Sequence, residues 1–165
     1  MGPGRSRRKG LQGRKIENNC EGPWAIMRKK PVSNEVSSAR LRQAGLRPTR
    51  QRNQLAHLLF RNGNRHLTAE ALHAEAVGEG VKVSLATVYN TLHQFTQSGL
   101  LRQVVVDATR SYFDTNTGEH QHFYHEDDGI LSDIPVNDLA VAGVPVPPHG
   151  TRVSRVDVVV RLRRS

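Results

Sequence analysis

The sequence predicts an α+β fold with two parts: an N-terminal unit of short helices closed by a β-hairpin, then a small α/β unit. Three observations point there. Apolar residues recur at helical intervals between Val36 and Phe95, interrupted by capping residues and glycines. After Gly99 the period changes from helical to strand-like. Near the C-terminus, Arg152 to Leu162 alternates valine with polar residues.

The elements follow in order. Residues 1–34 are rich in Gly, Arg, Lys, Pro and Asn without sustained periodicity, which predicts a basic, mostly disordered arm. Trp24, Ile26 and Met27 form a small apolar island in it. Val36, Ala39, Leu41 and Ala44 mark a first helix ended by Gly45. Thr49 caps a second, with Leu55, Ala56, Leu58 and Leu59 on its apolar stripe, and Asn62-Gly63-Asn64 stops it. Thr68 caps a third carrying Ala71, Leu72, Glu75 and Ala76. Ser84 starts the fourth, with Leu85, Val88, Leu92 and Phe95 on one face and Gly99 as its stop.

Leu101–Val106 and Arg110–Asp114 then read as strands of a hairpin turned at Asp107-Ala108-Thr109. Helices followed by such a hairpin give the winged-helix order. Strand-like runs continue at 121–125 and 130–134, Asn137 is placed to cap a short helix through Val141, and Val144–Pro148 is an extended connector. The boundary falls near Thr115 to Gly118, which gives units of 35–116 and 117–165.

Charge narrows the partners. The 165 residues carry a formal charge of +9, which favours a polyanion and most simply nucleic acid. The arm supplies part of the excess, but Arg40, Arg42, Arg47, Arg50 and Arg52 recur within the periodic region. A single cysteine, Cys20, excludes a disulfide framework and a cysteine-rich zinc site. No apolar run is long enough to span a membrane, so the expectation is a soluble, cytoplasmic protein.

The fourth helix is suited to double-stranded DNA. Thr87, Tyr89, Asn90, Thr91 and Gln94 lie off its apolar stripe. Tyr89 can contact a thymine methyl or a sugar, and Asn90 can bond adenine. Ser84 and the first N–H groups of the helix suit a phosphate, as do Arg47, Arg50 and Arg52 around the start of the second helix. The alternative is a helical bundle whose fourth helix is merely polar outside. Separately, His120 and His122 share a face of an extended strand and can converge on one ion, while His125 points the other way. With eight histidines in the chain, ordinary hydrogen-bonded imidazoles are the competing reading.

Gly45-Leu-Arg-Pro-Thr-Arg-Gln-Arg52, His66-Leu-Thr-Ala-Glu70, Ser84-Leu-Ala-Thr-Val-Tyr-Asn-Thr-Leu92 and His120-Gln-His122 resemble, in order, the motifs of ferric uptake regulators. Gly99-Leu-Leu-Arg-Gln103 and Tyr112-Phe-Asp-Thr-Asn116 are most similar to the iron response regulator branch, over about residues 36 to 165. The resemblance implies a winged-helix domain followed by an α/β dimerisation domain, and a homodimer, or a higher oligomer, on a roughly palindromic operator. It implies that Tyr89 is the recognition tyrosine, and that His66, Asp114, His120 and His122 form a metal site for iron, manganese or zinc, with Asp133 as an additional acid.

Departures from the family pattern matter equally. His125-Glu-Asp-Asp128 stands where many relatives carry Cys-x-x-Cys, so a four-cysteine zinc site is absent. Arg155-Val-Asp157 stands where relatives often carry another histidine. The branch further implies heme sensing at His120 and His122, with Cys20 as a further thiolate candidate, although Cys20-Glu-Gly-Pro-Trp24 breaks the Cys-Pro motif. The resulting expectation is a DNA-binding transcriptional repressor or activator of iron and heme homeostasis. A divalent-metal sensor without heme response is the alternative. A metal-dependent hydrolase is the remote one, since no catalytic signature accompanies the histidines and the chain reads as no enzyme.

Overall fold

A computed structural model describes residues 34–135 and 138–165. The basic arm with Trp24, Ile26, Met27 and Cys20 lies outside the described residues, as does Asn137.

Four helices come first: α1 (Asn34–Gln43), α2 (Arg50–Phe60), α3 (Ala69–Gly78) and α4 (Leu85–Gln97). The caps are those the sequence marks. Thr49 Oγ1 accepts from the Arg52 N–H, Thr68 from Ala71 and Ser84 from Thr87, which satisfies one orphan donor at each start. Three ends need glycine. Gly45, Gly80 and Gly99 have φ of 73°, 73° and 75°, and the N–H groups that follow fold back, Leu46 onto the Leu41 carbonyl, Val81 onto Ala76 and Leu100 onto Phe95.

Leu41, Leu55, Leu58, Leu59, Leu72, Val88, Leu92, Phe95 and Leu101 close one core. Each such side chain contributes about 1.5–3 kcal/mol of burial. Thr91 corrects the sequence reading: it is buried with Val88, Leu92 and Phe95 rather than turned outward. Position 91 lies three residues after 88 and four before 95, hence on the inner face.

The first sheet has the order β1-β3-β2, with β1 (His66–Leu67), β2 (Arg102–Val105) and β3 (Ser111–Asp114) antiparallel. The hairpin turns where expected, because Asp107 Oδ1 accepts from the N–H groups of Thr109 (2.8 Å) and Arg110 (2.9 Å). The two-residue strand β1 was too short to leave a sequence pattern. The second sheet, order β5-β4-β6, joins β4 (Gln121–His125) antiparallel to β5 (Ile130–Ile134) and parallel to β6 (Val159–Leu162).

Residues 138–158 depart from expectation. They form turns and extended chain instead of a helix reaching Val141, and only Val159–Leu162 of the alternating run pairs as a strand. Gly143 at φ 72° and the prolines 145, 147 and 148 are incompatible with continuing a helix there.

Strand β3 joins the two parts through its alternation. Phe113 faces the helical core, while Tyr112 faces outward and packs with Val104, Val106, Tyr124, Leu131 and Val159 in a second cluster. The wing therefore has apolar contacts on both faces. Hydrogen bonds reinforce the outer contact: Tyr112 Oη donates to the Gly129 carbonyl and Arg110 Nη1 to Tyr124 Oη, each at 2.6 Å.

Candidate metal centre

Two ladders build the site. On the first sheet His66 of β1 lies opposite Asp114 at the end of β3. On the second, His122 of β4 lies opposite Asp133 of β5. Directly opposed residues have Cβ atoms about 5 Å apart, so each ladder presents one imidazole and one carboxylate together. His120, just before β4, completes the group from the second side. One donor atom from each of the five lies within 4.8 Å of all the others.

The donors face one another. His120 Nε2 is 2.8 Å from Asp114 Oδ2 and 3.3 Å from Asp133 Oδ1. His66 Nε2 is 2.8 Å from Asp133 Oδ1 and 3.5 Å from Asp114 Oδ2. His120 and His122 bring their Nε2 atoms to 3.0 Å. Donors bound at about 2.0–2.2 Å around one first-row cation lie about 3 Å from their neighbours, the edge of the coordination polyhedron. These separations match that edge.

Hydrogen bonding outside the cluster supports the same use. His120 Nδ1 donates to the Gly118 carbonyl at 2.9 Å, which turns its Nε2 toward the cluster. Asp114 Oδ1 accepts from the Asn116 N–H at 2.7 Å, freeing Oδ2 for the cluster. Asp114 Oδ2 and His66 Nε2 are buried without a hydrogen-bond partner, although each lies close to other donors of the group. Burial pushes the Asp114 carboxyl up, but the His122 and His66 imidazoles beside it and the hydrogen bond from the Asn116 N–H outweigh this and hold the group well below the usual carboxylate range. The site thus keeps a buried carboxylate charged, which an enclosed cation would neutralise. Three nitrogens and two oxygens exceed the four donors of a closed zinc site and suit iron or manganese.

The heme expectation fits this arrangement poorly. His120 and His122 are buried, and their Nε2 atoms point at carboxylates and at one another rather than toward an open slot for a porphyrin face. Cys20 lies outside the described residues. His125, as expected, leaves the cluster, with Nε2 3.4 Å from Ser132 Oγ. Asp133, only an additional acid in the sequence reading, is fully part of the group and is its most exposed member at 38%.

The proposed DNA face is mixed. Arg47, Arg50, Ser84, Tyr89 and Asn90 are exposed. Ser84 and Thr87 bond each other through their hydroxyls at 2.8 Å. Arg52 is engaged within the protein: its guanidinium donates to Gln94 Oε1 (2.7 and 3.2 Å) and to the Arg47 carbonyl (2.8 Å), bracing α2 against α4. Tyr89 Oη donates to the Glu70 carboxylate of α3, a partner that no spacing rule indicated.

Residues 43–157 match the model of the ferric uptake regulator family. The chain belongs to the ferric uptake regulator family. Members of this family are transcriptional regulators rather than enzymes, so the hydrolase alternative is set aside. The chain is 34% identical over 105 residues to the peroxide-responsive repressor PerR of Staphylococcus aureus, covering 64% of this chain and 70% of that protein. It is 35% identical over 80 residues to a ferric uptake regulation protein of Bordetella parapertussis, covering 48% of this chain and 58% of the relative's length. Among solved structures, the ferric uptake regulator of Pseudomonas aeruginosa with manganese aligns at TM-score 0.59 and 26% identity, over 78% of this chain and 98% of that one. The Vibrio cholerae regulator aligns at TM-score 0.60 and 20% identity, over 77% and 98%. It carries the fold likeness alone. Within the family fold, the five-donor cluster of this chain lies at the contact between wing and second sheet.

Proposed function

We propose that this Fur-family protein is an operator-binding transcription regulator that senses a divalent cation, iron(II) or manganese(II), directly at His66, Asp114, His120, His122 and Asp133. The observation that carries the reading is the convergence of five donors from two sheets onto one point. The Pseudomonas aeruginosa relative is named with manganese, which agrees with this donor set. A bound cation would supply the positive charge that offsets Asp114 and Asp133 and lets all five donors share one centre. His66 and Asp114 belong to the wing side, and His120, His122 and Asp133 to the second sheet, so the ligand set ties the DNA-reading unit to the rest. Affinity for DNA then depends on which relative placement of the two the ligand favours.

On the DNA side, Tyr89 and Asn90 reach base edges, Ser84 and the α4 N-terminus take a phosphate, and Arg47 and Arg50 take flanking phosphates. Arg52 and Thr87 position these groups through Gln94 and Ser84. A homodimer would place two α4 helices in successive major grooves. Exposed Val144, Val146, Val153 and Val156 in the connector supply apolar surface for such an assembly. Heme in place of a metal ion remains the reading of the iron response regulator branch, and the convergent Nε2 atoms weigh against it.

The test is equilibrium binding of iron(II), manganese(II), zinc(II) and hemin to the purified chain and to a His66→Ala/Asp114→Ala variant. It is coupled to fluorescence anisotropy on DNA selected from a random pool. Saturable metal binding that is lost in the variant and changes operator affinity is expected. Hemin binding with no response to any of the three ions would overturn the proposal.

A further inference from the structure

Arg102 is the only lysine or arginine buried among the described residues, at 4% exposure, and lies on β2 opposite Asp114 of β3. A buried guanidinium is costly unless most of its donors find acceptors. Nη1 donates to the backbone carbonyls of His120 (3.0 Å) and Gly118 (3.3 Å), and Nη2 pairs with the Asp157 carboxylate, while Nε is buried without a partner. Asp157 also takes Arg155 Nε at 2.8 Å. The Gly118 carbonyl is the one that accepts from His120 Nδ1. A single side chain thus grips the carbonyl that orients the His120 ring and the carbonyl of His120 itself, and is anchored to the segment entering β6.

We propose that Arg102, held by Asp157, is a positioning residue for the metal centre, fixing the Gly118–His120 segment so that His120 presents its Nε2 to the cluster. The inference rests on the direct-metal reading above. The guanidinium's planar fork spans two carbonyls and a carboxylate at once, and a lysine ammonium with a single nitrogen cannot. Loss of the fork would let Gly118 turn away, and with it the hydrogen bond that selects the His120 tautomer. Because Arg102 stands on the wing side and its partners on the other, the same contact also links the two parts beside the metal ligands.

The experiment uses the full chain, metal-free, as wild type, Arg102→Lys, Arg102→Met and Asp157→Asn. Cobalt(II) alone is titrated and its visible absorption band followed. Long-range proton–nitrogen spectra of the metal-free proteins report the His120 tautomer, and thermal unfolding reports the fold. Arg102→Lys is expected to weaken cobalt binding about 10- to 100-fold, to shift the band, and to lose the single Nδ1–H form of His120. Asp157→Asn should move all three readouts the same way by less. A folded Arg102→Lys or Arg102→Met with wild-type affinity, band and tautomer would overturn the proposal and leave Arg102 a structural ion pair. If the wild type shows no saturable cobalt band, the direct-metal reading fails, and the tautomer measurement separately decides whether Arg102 orients His120.

Discussion

His66 of the first sheet and Asp133 of the second bring Nε2 and Oδ1 to 2.8 Å, closer than either residue is to its own cross-strand partner in the cluster. His120 and Asp114 repeat this across the same boundary, also at 2.8 Å, whereas His66–Asp114 and His122–Asp133 are 3.5 and 3.9 Å apart. Each ladder fixes its own half of the site, and the tightest contacts are those between halves. A ligand that pulls these donors together therefore acts on the placement of one sheet against the other.

Removing the buried acid should cost more than removing the exposed one. Asp114→Ala is expected to weaken manganese(II) binding at least about 100-fold, and Asp133→Ala about 10-fold, in calorimetric titrations, since ligands bind as preorganised deprotonated groups. Asp114 is fully buried and Asp133 is 38% exposed, so water can replace the second but not the first. Metal at 100 times its dissociation constant should also stabilise the wild type by about 2.7 kcal/mol, read as a raised Tm. Equal losses in the two variants would show that burial does not rank the ligands.

Base-reading and phosphate-holding groups should separate by salt. Tyr89→Ala is expected to lower operator affinity and relax specificity by about 1–3 kcal/mol, while Arg50→Ala weakens all DNA alike and reduces the salt slope by about one. Glu70→Gln removes the carboxylate that receives the Tyr89 hydroxyl. It should shift the affinity for operator more than that for random DNA. Anisotropy titrations at several salt concentrations measure both. Equal effects of Tyr89→Ala on operator and random DNA would contradict a base-reading role.

The helices were legible because each carries its own punctuation: Thr49, Thr68 and Ser84 cap, Gly45 and Gly99 terminate. His120 and His122 were legible as a pair because the alternation of extended chain is local. The rest of the site depends on pairings distant in sequence. His66 meets Asp114 through a two-residue strand, and Asp133 joins through the β4–β5 register, neither of which leaves a periodic pattern. Family resemblance supplied His66 and Asp114 in place of geometry. Arg52 and Arg102 show the limit of reading charge alone. Arg52 was read as a phosphate contact and Arg102 carried no reading of its own, yet one braces two helices and the other is buried against backbone carbonyls. Composition cannot tell a cation facing solvent from one facing the protein's own acceptors.

Acid should loosen the corner where α2, β1 and α3 meet. Glu75 on α3 pairs with Arg61 and Arg65, both at 2.8 Å, and is about one-fifth exposed. Burial pushes its carboxyl up, but hydrogen bonds and charge from Arg65 and Arg61 outweigh this and leave it below the ordinary value. A depressed carboxylate contributes stability that is present above its unfolded pKa of about 4.3 and is lost as pH falls through the lower folded value. Glu75→Gln should therefore cost about 1 kcal/mol at pH 7 and progressively less below about pH 4, measured by urea unfolding across that range. A cost that stays constant with pH would assign the effect to packing.

Neighbouring residues of β3 should have separable effects because alternation sends them to different clusters. Phe113→Ala opens a cavity in the helical core, where the ring is 1% exposed, and should destabilise the fold by about 3–5 kcal/mol. Tyr112→Ala removes the ring that packs the wing on Tyr124 and Leu131, together with the hydroxyl that donates to the Gly129 carbonyl. Its main consequence should be looser placement of the second sheet, seen as weakened manganese(II) binding even at temperatures where the helices remain folded. Tyr112→Phe keeps the ring and loses one hydrogen bond, about 1 kcal/mol, and should leave metal affinity within about threefold of wild type, near 0.7 kcal/mol. Calorimetric metal titration with circular dichroism on the same samples distinguishes the two effects. If Phe113→Ala and Tyr112→Ala reduced metal binding only in proportion to unfolding, inter-sheet packing would have no separate part in forming the site.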